Sequence, residues 1–204
     1  MPLPPLRVYA GEPICDMEEC NKVVLIASEI QVPADLCLPL SGALIDWIKN
    51  SNASAAIMID AYSPGVENKH TIFDEDDSDG SLLGIGSIEE SHKILDELKI
   101  PLLKQGIIGG MTGVMMGESR RRSVNTVAML AEASGEFGNG TIPDSRAAAR
   151  IINCLDKLLP AIYLDSEPLL EEAQRIEEQI REMMALQLNP SAEHATNDSA
   201  NMYG

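Results

Sequence analysis

The sequence predicts an α/β fold: a three-layer α/β/α body with a mostly parallel central sheet, a C-terminal helix and a disordered tail. Three observations predict it. Residues 22–30 (KVVLIASEI), the amphipathic residues 38–49 and residues 55–62 (AAIMIDAY) run strand, helix, strand, the pattern of a parallel βαβ unit with a right-handed crossover. Residues 106–117 (GIIGGMTGVMMG) read as the end of a short strand, a glycine turn and a helix opened by Thr112, because paired glycines let a strand reverse directly into a packed helix. Residues 189–201 hold no large apolar side chain and cannot offset the entropy cost of ordering.

Taken in order, residues 6–10 form a first strand. Residues 22–30 look like a strand buried on both faces, and residues 55–62 like another. Between them, Leu40, Ala43, Leu44, Trp47 and Ile48 make a helical stripe. Residues 63–81 are a loop with the acidic run Asp74-Glu75-Asp76-Asp77-Ser78-Asp79. As a calcium loop it fails: Gly80 at the sixth position puts Glu75 first and Gly86 twelfth, where a bidentate Glu belongs. Residues 82–86 form a strand, and Ser87 with Glu90 a capping box for a helix running to Lys99. The glycine segment follows, with a strand at residues 105–108 and with Gly113 and Gly117 on one helix face, pressing it onto the sheet. Residues 123–132 are a strand. Residues 143–159 are a helix with Ala147, Ile151, Leu155 and Leu158 on one side and Pro143 in its first turn. Over residues 167–186, Leu169, Ala173, Ile176, Ile180 and Met183 form a short heptad-like seam that covers the sheet or pairs with another subunit. The chain divides into a body (1–164), an amphipathic helix (165–187) and a flexible tail (188–204).

Bulk properties exclude several roles. A formal net charge of −17 over 204 residues argues against nucleic acid as a partner. No apolar run reaches the roughly 20 residues of a membrane span, and Met1-Pro2-Leu3-Pro4-Pro5 is no signal peptide. Cys15, Cys20, Cys37 and Cys154 lack CxxC spacing, and His70, His92 and His194 lie far from them in sequence. Reduced thiols in a cytoplasmic protein are expected, with no metal and no cofactor.

Three enzymatic readings are weak. The glycine turn could cradle a phosphate, but GxxxxGK[ST] and GxGxxG are absent. No GxSxG occurs, and no histidine sits in an apolar motif. Arg120-Arg121-Arg122 reads as a solvated cationic helix end, favoured by the helix dipole. Asp60 and Glu132 end apolar strands, where active sites of parallel sheets collect; two lone carboxylates define no reaction, and no catalytic residue is assigned. The rival reading is an enzyme acting on a nucleotide or phosphorylated metabolite at Gly109-Gly110, Asp60 and Glu132.

The final Met202-Tyr203-Gly204 stands out. After thirteen residues without a large apolar side chain, one apolar and one aromatic side chain precede a terminal carboxylate, the makings of a hook that enters a pocket and meets a cation. This hydrophobic–Tyr–any-residue ending resembles the motif of proteasome activators and assembly chaperones. The body resembles the archaeal proteasome assembly chaperone family, relatives of the second eukaryotic assembly chaperone. Residues 6–9 with 23–29, 40–62 and 106–116 carry that likeness. Family members begin with a glycine-rich GFPG-type segment before the match to Leu6; this sequence starts at Met1-Pro2.

The resemblance implies a non-enzymatic domain that forms oligomers and docks on the proteasome core particle. Met202 would be the hydrophobic member, Tyr203 the tyrosine, and Gly204 the carboxylate meeting a lysine between α-subunits. Burying the Met and Tyr side chains yields roughly 3–6 kcal/mol, against an association cost of about 4–15 kcal/mol. One hook binds weakly and several multiply effective concentration, so a homo-oligomer of two or four subunits is expected, with residues 167–186 as candidate interface.

Overall fold

The structure, a computed structural model, describes residues 5–11, 22–62, 81–133, 144–159 and 164–188. Its elements are β1 (Leu6–Gly11), β2 (Val23–Ser28), α1 (Ala34–Asn50), β3 (Ala56–Tyr62), β4 (Leu82–Gly86), α2 (Glu89–Glu97), α3 (Gly110–Arg121), β5 (Thr126–Glu132), α4 (Ser145–Leu158) and α5 (Glu167–Leu188).

The architecture is mixed α/β. A central sheet has the order β3-β5-β4. Pairing is parallel between β3 and β5, with Ala56 opposite Thr126 and Tyr62 opposite Glu132, and antiparallel between β4 and β5. A parallel bridge joins Gly84 to Leu102. The middle strand β5 is the most buried, with Val127, Ala128 and Met129 fully enclosed.

Side-chain alternation along β5 sorts the helices into layers. Val127 and Met129 face Leu95 of α2 and Cys154 of α4, and Ala131 meets Ala147 and Ile151 of α4. On the other face, Met58 and Ala56 of β3 pack with Ile45 and Ile48 of α1 and Met115 of α3. The sheet thus lies between α1 and α3 on one side and α2 and α4 on the other. α5 packs against α4, and Ala173 from its seam is buried. The inward half of that seam is spent within the chain. Ile180 and Met183 have side chains outside the described set.

Several sequence expectations are corrected. β2 does not join the central sheet: it pairs antiparallel with β1 in a separate two-stranded ribbon. Residues 22–62 are therefore not a βαβ unit, and Leu25 is exposed. An apolar β-branched run signals a strand without naming its partner. Residues 105–108 are irregular rather than a strand, and Ile107 is fully exposed. The buried side of α1 is Cys37, Ser41, Ile45 and Ile48, with Trp47 outside, because small polar residues that allow α3 close approach do not score as apolar. Ser87 does not cap α2; Ile88 is the N-cap, and its N–H is taken by Ser91 Oγ at 2.9 Å. The strand expected from Ser123 begins at Thr126, since Ser123 takes a left-handed φ of +52° that ends α3.

Candidate functional site

Tyr62 at the end of β3 and Glu132 at the end of β5 lie side by side in the parallel register. Glu132 Oε2 accepts from Ser81 Oγ at 2.8 Å, from the Ser81 N–H at 3.0 Å and from the Tyr62 hydroxyl at 3.3 Å. The Tyr62 and Ser81 hydroxyls also meet directly, and Arg150 of α4 donates to the Glu132 carbonyl. Burial raises the Tyr62 phenol above its usual value; the Ser81 hydrogen bond opposes that rise and the neighbouring Glu132 charge adds to it. This cluster ties a strand end, the start of β4 and α4 together. Its carboxylate is spent on structural donors.

The glycine turn is built as a strap into a helix. Gly109 is the N-cap of α3, and Gly110 has φ of +61°, a conformation that favours glycine. At Gly113 a Cβ would collide with the Ile108 carbonyl oxygen, while at Gly117 nothing lies within 4 Å. Gly113 therefore serves the contact between helix and strap, and Gly117 does not press α3 onto the sheet as the spacing suggested.

Asp60 stands at the first turn of this helix. Its Oδ2 accepts from Thr112 Oγ1 at 2.7 Å, and its Oδ1 from the Ala61 N–H at 2.8 Å. The carboxylate thus lies beside the first turn of α3, held through a side chain of that turn, and its negative charge disfavours a second anion at that helix end. Asp60 and Glu132 are not brought together as a pair: each is tied to its own donors. Arg121 and Arg122 of the basic run pair with Glu118, at 2.6 and 3.3 Å, and Arg122 also with Asp46 at 2.6 Å. Two of the three arginines thus hold the end of α3 to itself and to α1. Among the described residues no three His, Cys, Asp or Glu side chains gather as a metal site requires, and no helix is long and apolar enough to cross a membrane.

Sequence reasoning did not single out Ser81 and Arg150 or the hydroxyl of Tyr62. The usable signal was the alignment of residues 55–62 with 123–132, which puts Tyr62 beside Glu132. The predicted docking residues Met202, Tyr203 and Gly204, and the acidic run Asp74–Asp79, lie outside the described residues.

Comparison with known proteins gives the fold its family. The model of the PAC2 family matches residues 1–184. The chain belongs to the PAC2 family. PbaA of Pyrococcus furiosus, described as an archaeal homolog of proteasome-assembly chaperone, is 30% identical with a TM-score of 0.73, over 93% of this chain and 70% of that one. PbaB of the same organism, described as an archaeal proteasome activator, superposes with a TM-score of 0.67 at 18% identity, over 88% of this PAC2 chain and 71% of its own. A proteasome-assembly chaperone homologue of Mycobacterium tuberculosis gives 0.64 at 14% identity, over 88% and 68%. The last two likenesses are of fold alone. No curated protein matches the chain. The resemblance read from the sequence is borne out at the level of family.

Proposed function

We propose that this PAC2 chain is a non-enzymatic proteasome assembly chaperone or activator, working in the cytoplasm, that binds the α-ring of the core particle through Met202, Tyr203 and the carboxylate of Gly204. The body at residues 1–164 is the scaffold, the helix at 165–187 braces it, and the tail at 188–204 is the tether. The likeness to PbaA carries the reading. Two features of the body support it: the carboxylate of Asp60, bonded to Thr112, sets a negative charge beside the helix N-terminus that a phosphorylated substrate would use, and the carboxylate of Glu132 is engaged by Ser81 and Tyr62.

The tail works as a weak, repeated contact, so the active form is an oligomer of two or four subunits. Replacing Tyr203 by Ala removes the larger side chain of the hook. Binding to purified core particle should fall by roughly tenfold or more, whereas Asn197→Ala in the tether should leave it unchanged. Equal binding by both variants would overturn the docking role of the tail.

A further inference from the structure

The ribbon of β1 and β2 forms no extensive interface with any other element among the described residues. Two strands alone are marginal in water, and stability comes with a third or fourth. The hydrogen bond from the Glu29 N–H to the Pro5 carbonyl, 2.9 Å, identifies the hydrogen-bonded pairs of this antiparallel ladder as Arg7–Ala27, Tyr9–Leu25 and Gly11–Val23. The N–H and C=O groups of Leu6, Val8 and Ala10 therefore point away from β2, along an edge that pairs with no other strand among the described residues. Val8 is 60% exposed there, whereas Val24 and Ile26 on the opposite edge are half-buried. The strand LRVYAG has no acidic side chain in a chain of net charge −17. Two copies can approach along it without setting carboxylates against one another.

We propose that β1 is a self-association edge: two copies of this chain pair their β1 strands antiparallel about a twofold axis through Val8, forming a four-stranded sheet β2-β1-β1-β2. An axis normal to the sheet keeps each face on its own side, so residues of like parity stand opposite. Val8 meets its counterpart, Leu6 meets Ala10, and Arg7 meets Tyr9 of the second copy. All three outward-facing residues then exchange main-chain hydrogen bonds. Arg7 already lies 5.9 Å from the centroid of its own Tyr9 ring, and the same cation–π attraction operates across the seam. The guanidinium of Arg7 is ion-paired with Glu29 of its own ribbon, and moving the axis to Arg7 would set Ala10 opposite Pro4, which has no N–H to donate. The complementarity is of the strand to itself, which selects a second copy over an unrelated strand. This deepens the oligomeric part of the proposed function and does not depend on the tail.

The test is the mass of the full chain in solution, by light scattering and sedimentation at micromolar concentration. The wild type should appear as an even multiple of the 22.1 kDa chain. Val8→Lys sets two cations across the axis, and Val8→Pro removes only an outward N–H and leaves the ribbon's own ladder intact; each should weaken association at least about tenfold. Val8→Cys should give a disulfide-linked dimer on oxidation, mapped to position 8, because a hydrogen-bonded pair spans about 5.5 Å between Cα atoms. Leu25→Cys, exposed on the other strand, should not. A monomeric wild type overturns the proposal. So does unchanged association of folded Val8→Lys and Val8→Pro, and so does Val8→Cys linking no better than Leu25→Cys. Core-particle binding through Met202–Gly204 is measured separately: a monomer that still docks would sink this proposal and the oligomeric part of the proposed function, and would leave the docking role of the tail standing.

Discussion

The hydroxyl of Thr112, in the first turn of α3, donates to Oδ2 of Asp60 at the end of β3, 2.7 Å away. This bond holds a carboxylate beside the first turn of the helix. Thr112 is buried, so Thr112→Val keeps its shape and removes the donor. Urea unfolding should show a loss of about 1–2 kcal/mol. Inorganic phosphate should give the wild type no saturable rise in melting temperature, because the Asp60 carboxylate beside that helix end repels it. A large, saturable rise abolished by Gly110→Val would revive the enzymatic reading.

Gly113 and Gly117 give opposite outcomes under the same substitution. Gly113→Ala drives a methyl into the Ile108 carbonyl, and relief requires moving the strap or the helix. A loss of more than about 2 kcal/mol is expected. Gly117→Ala meets nothing within 4 Å in a helix interior, and should add about 0.5–1 kcal/mol. Denaturant midpoints of the two variants check both signs.

Ser87 links the start of β5 to its surroundings. Its buried Oγ donates to the Val124 carbonyl at 2.7 Å and accepts from the Thr126 N–H at 2.9 Å. Ser87→Ala leaves two enclosed main-chain groups without that partner, and should cost about 2–3 kcal/mol. Thermal unfolding measures it.

Cys37 and Cys154 are free and buried. Burial raises the Cys154 thiol above its usual value, with Lys157 opposing, so the reactive thiolate is scarce at neutral pH. Alkylation of the native protein followed by mass spectrometry should spare both, and alkylation in urea should label both.

Glu118 carries a pH dependence. Arg121, through its hydrogen bond, holds this carboxyl below its ordinary value of about 4.5, so the folded state binds that proton more weakly than the unfolded chain. The resulting stability is present above about pH 4.5 and is lost as pH falls through the lowered folded value. Glu118→Gln should flatten that acid limb, and melting temperatures from pH 7 to pH 3 test it.

The layers of this fold were legible because periodicity is a local signal. The stripe Ala147, Ile151, Leu155, Leu158 gave α4 its inward face, and AIMIDAY gave β3. Partner choice was not legible. VVLIAS reads equally well as a central strand or as half of a ribbon, since hydrogen-bonding partners leave no mark on composition. The apolar run at residues 105–108 misled for the same reason: Leu102 makes the bridge to Gly84 and the chain then leaves the sheet. At the candidate site, Asp60 was visible as a carboxylate ending an apolar strand. Its partner Thr112 was visible only as a helix opener, 52 residues away, and nothing in either segment announces the bond. The cluster of Tyr62, Ser81, Glu132 and Arg150 was hidden similarly, because it needs the strand register before its members meet.

The most direct measurement compares the intact chain with one lacking Met202, Tyr203 and Gly204 for binding to purified proteasome core particle. The account predicts that the intact chain binds the α-ring and that the shortened chain, still folded, loses binding. Retention of full binding by the shortened chain would contradict it.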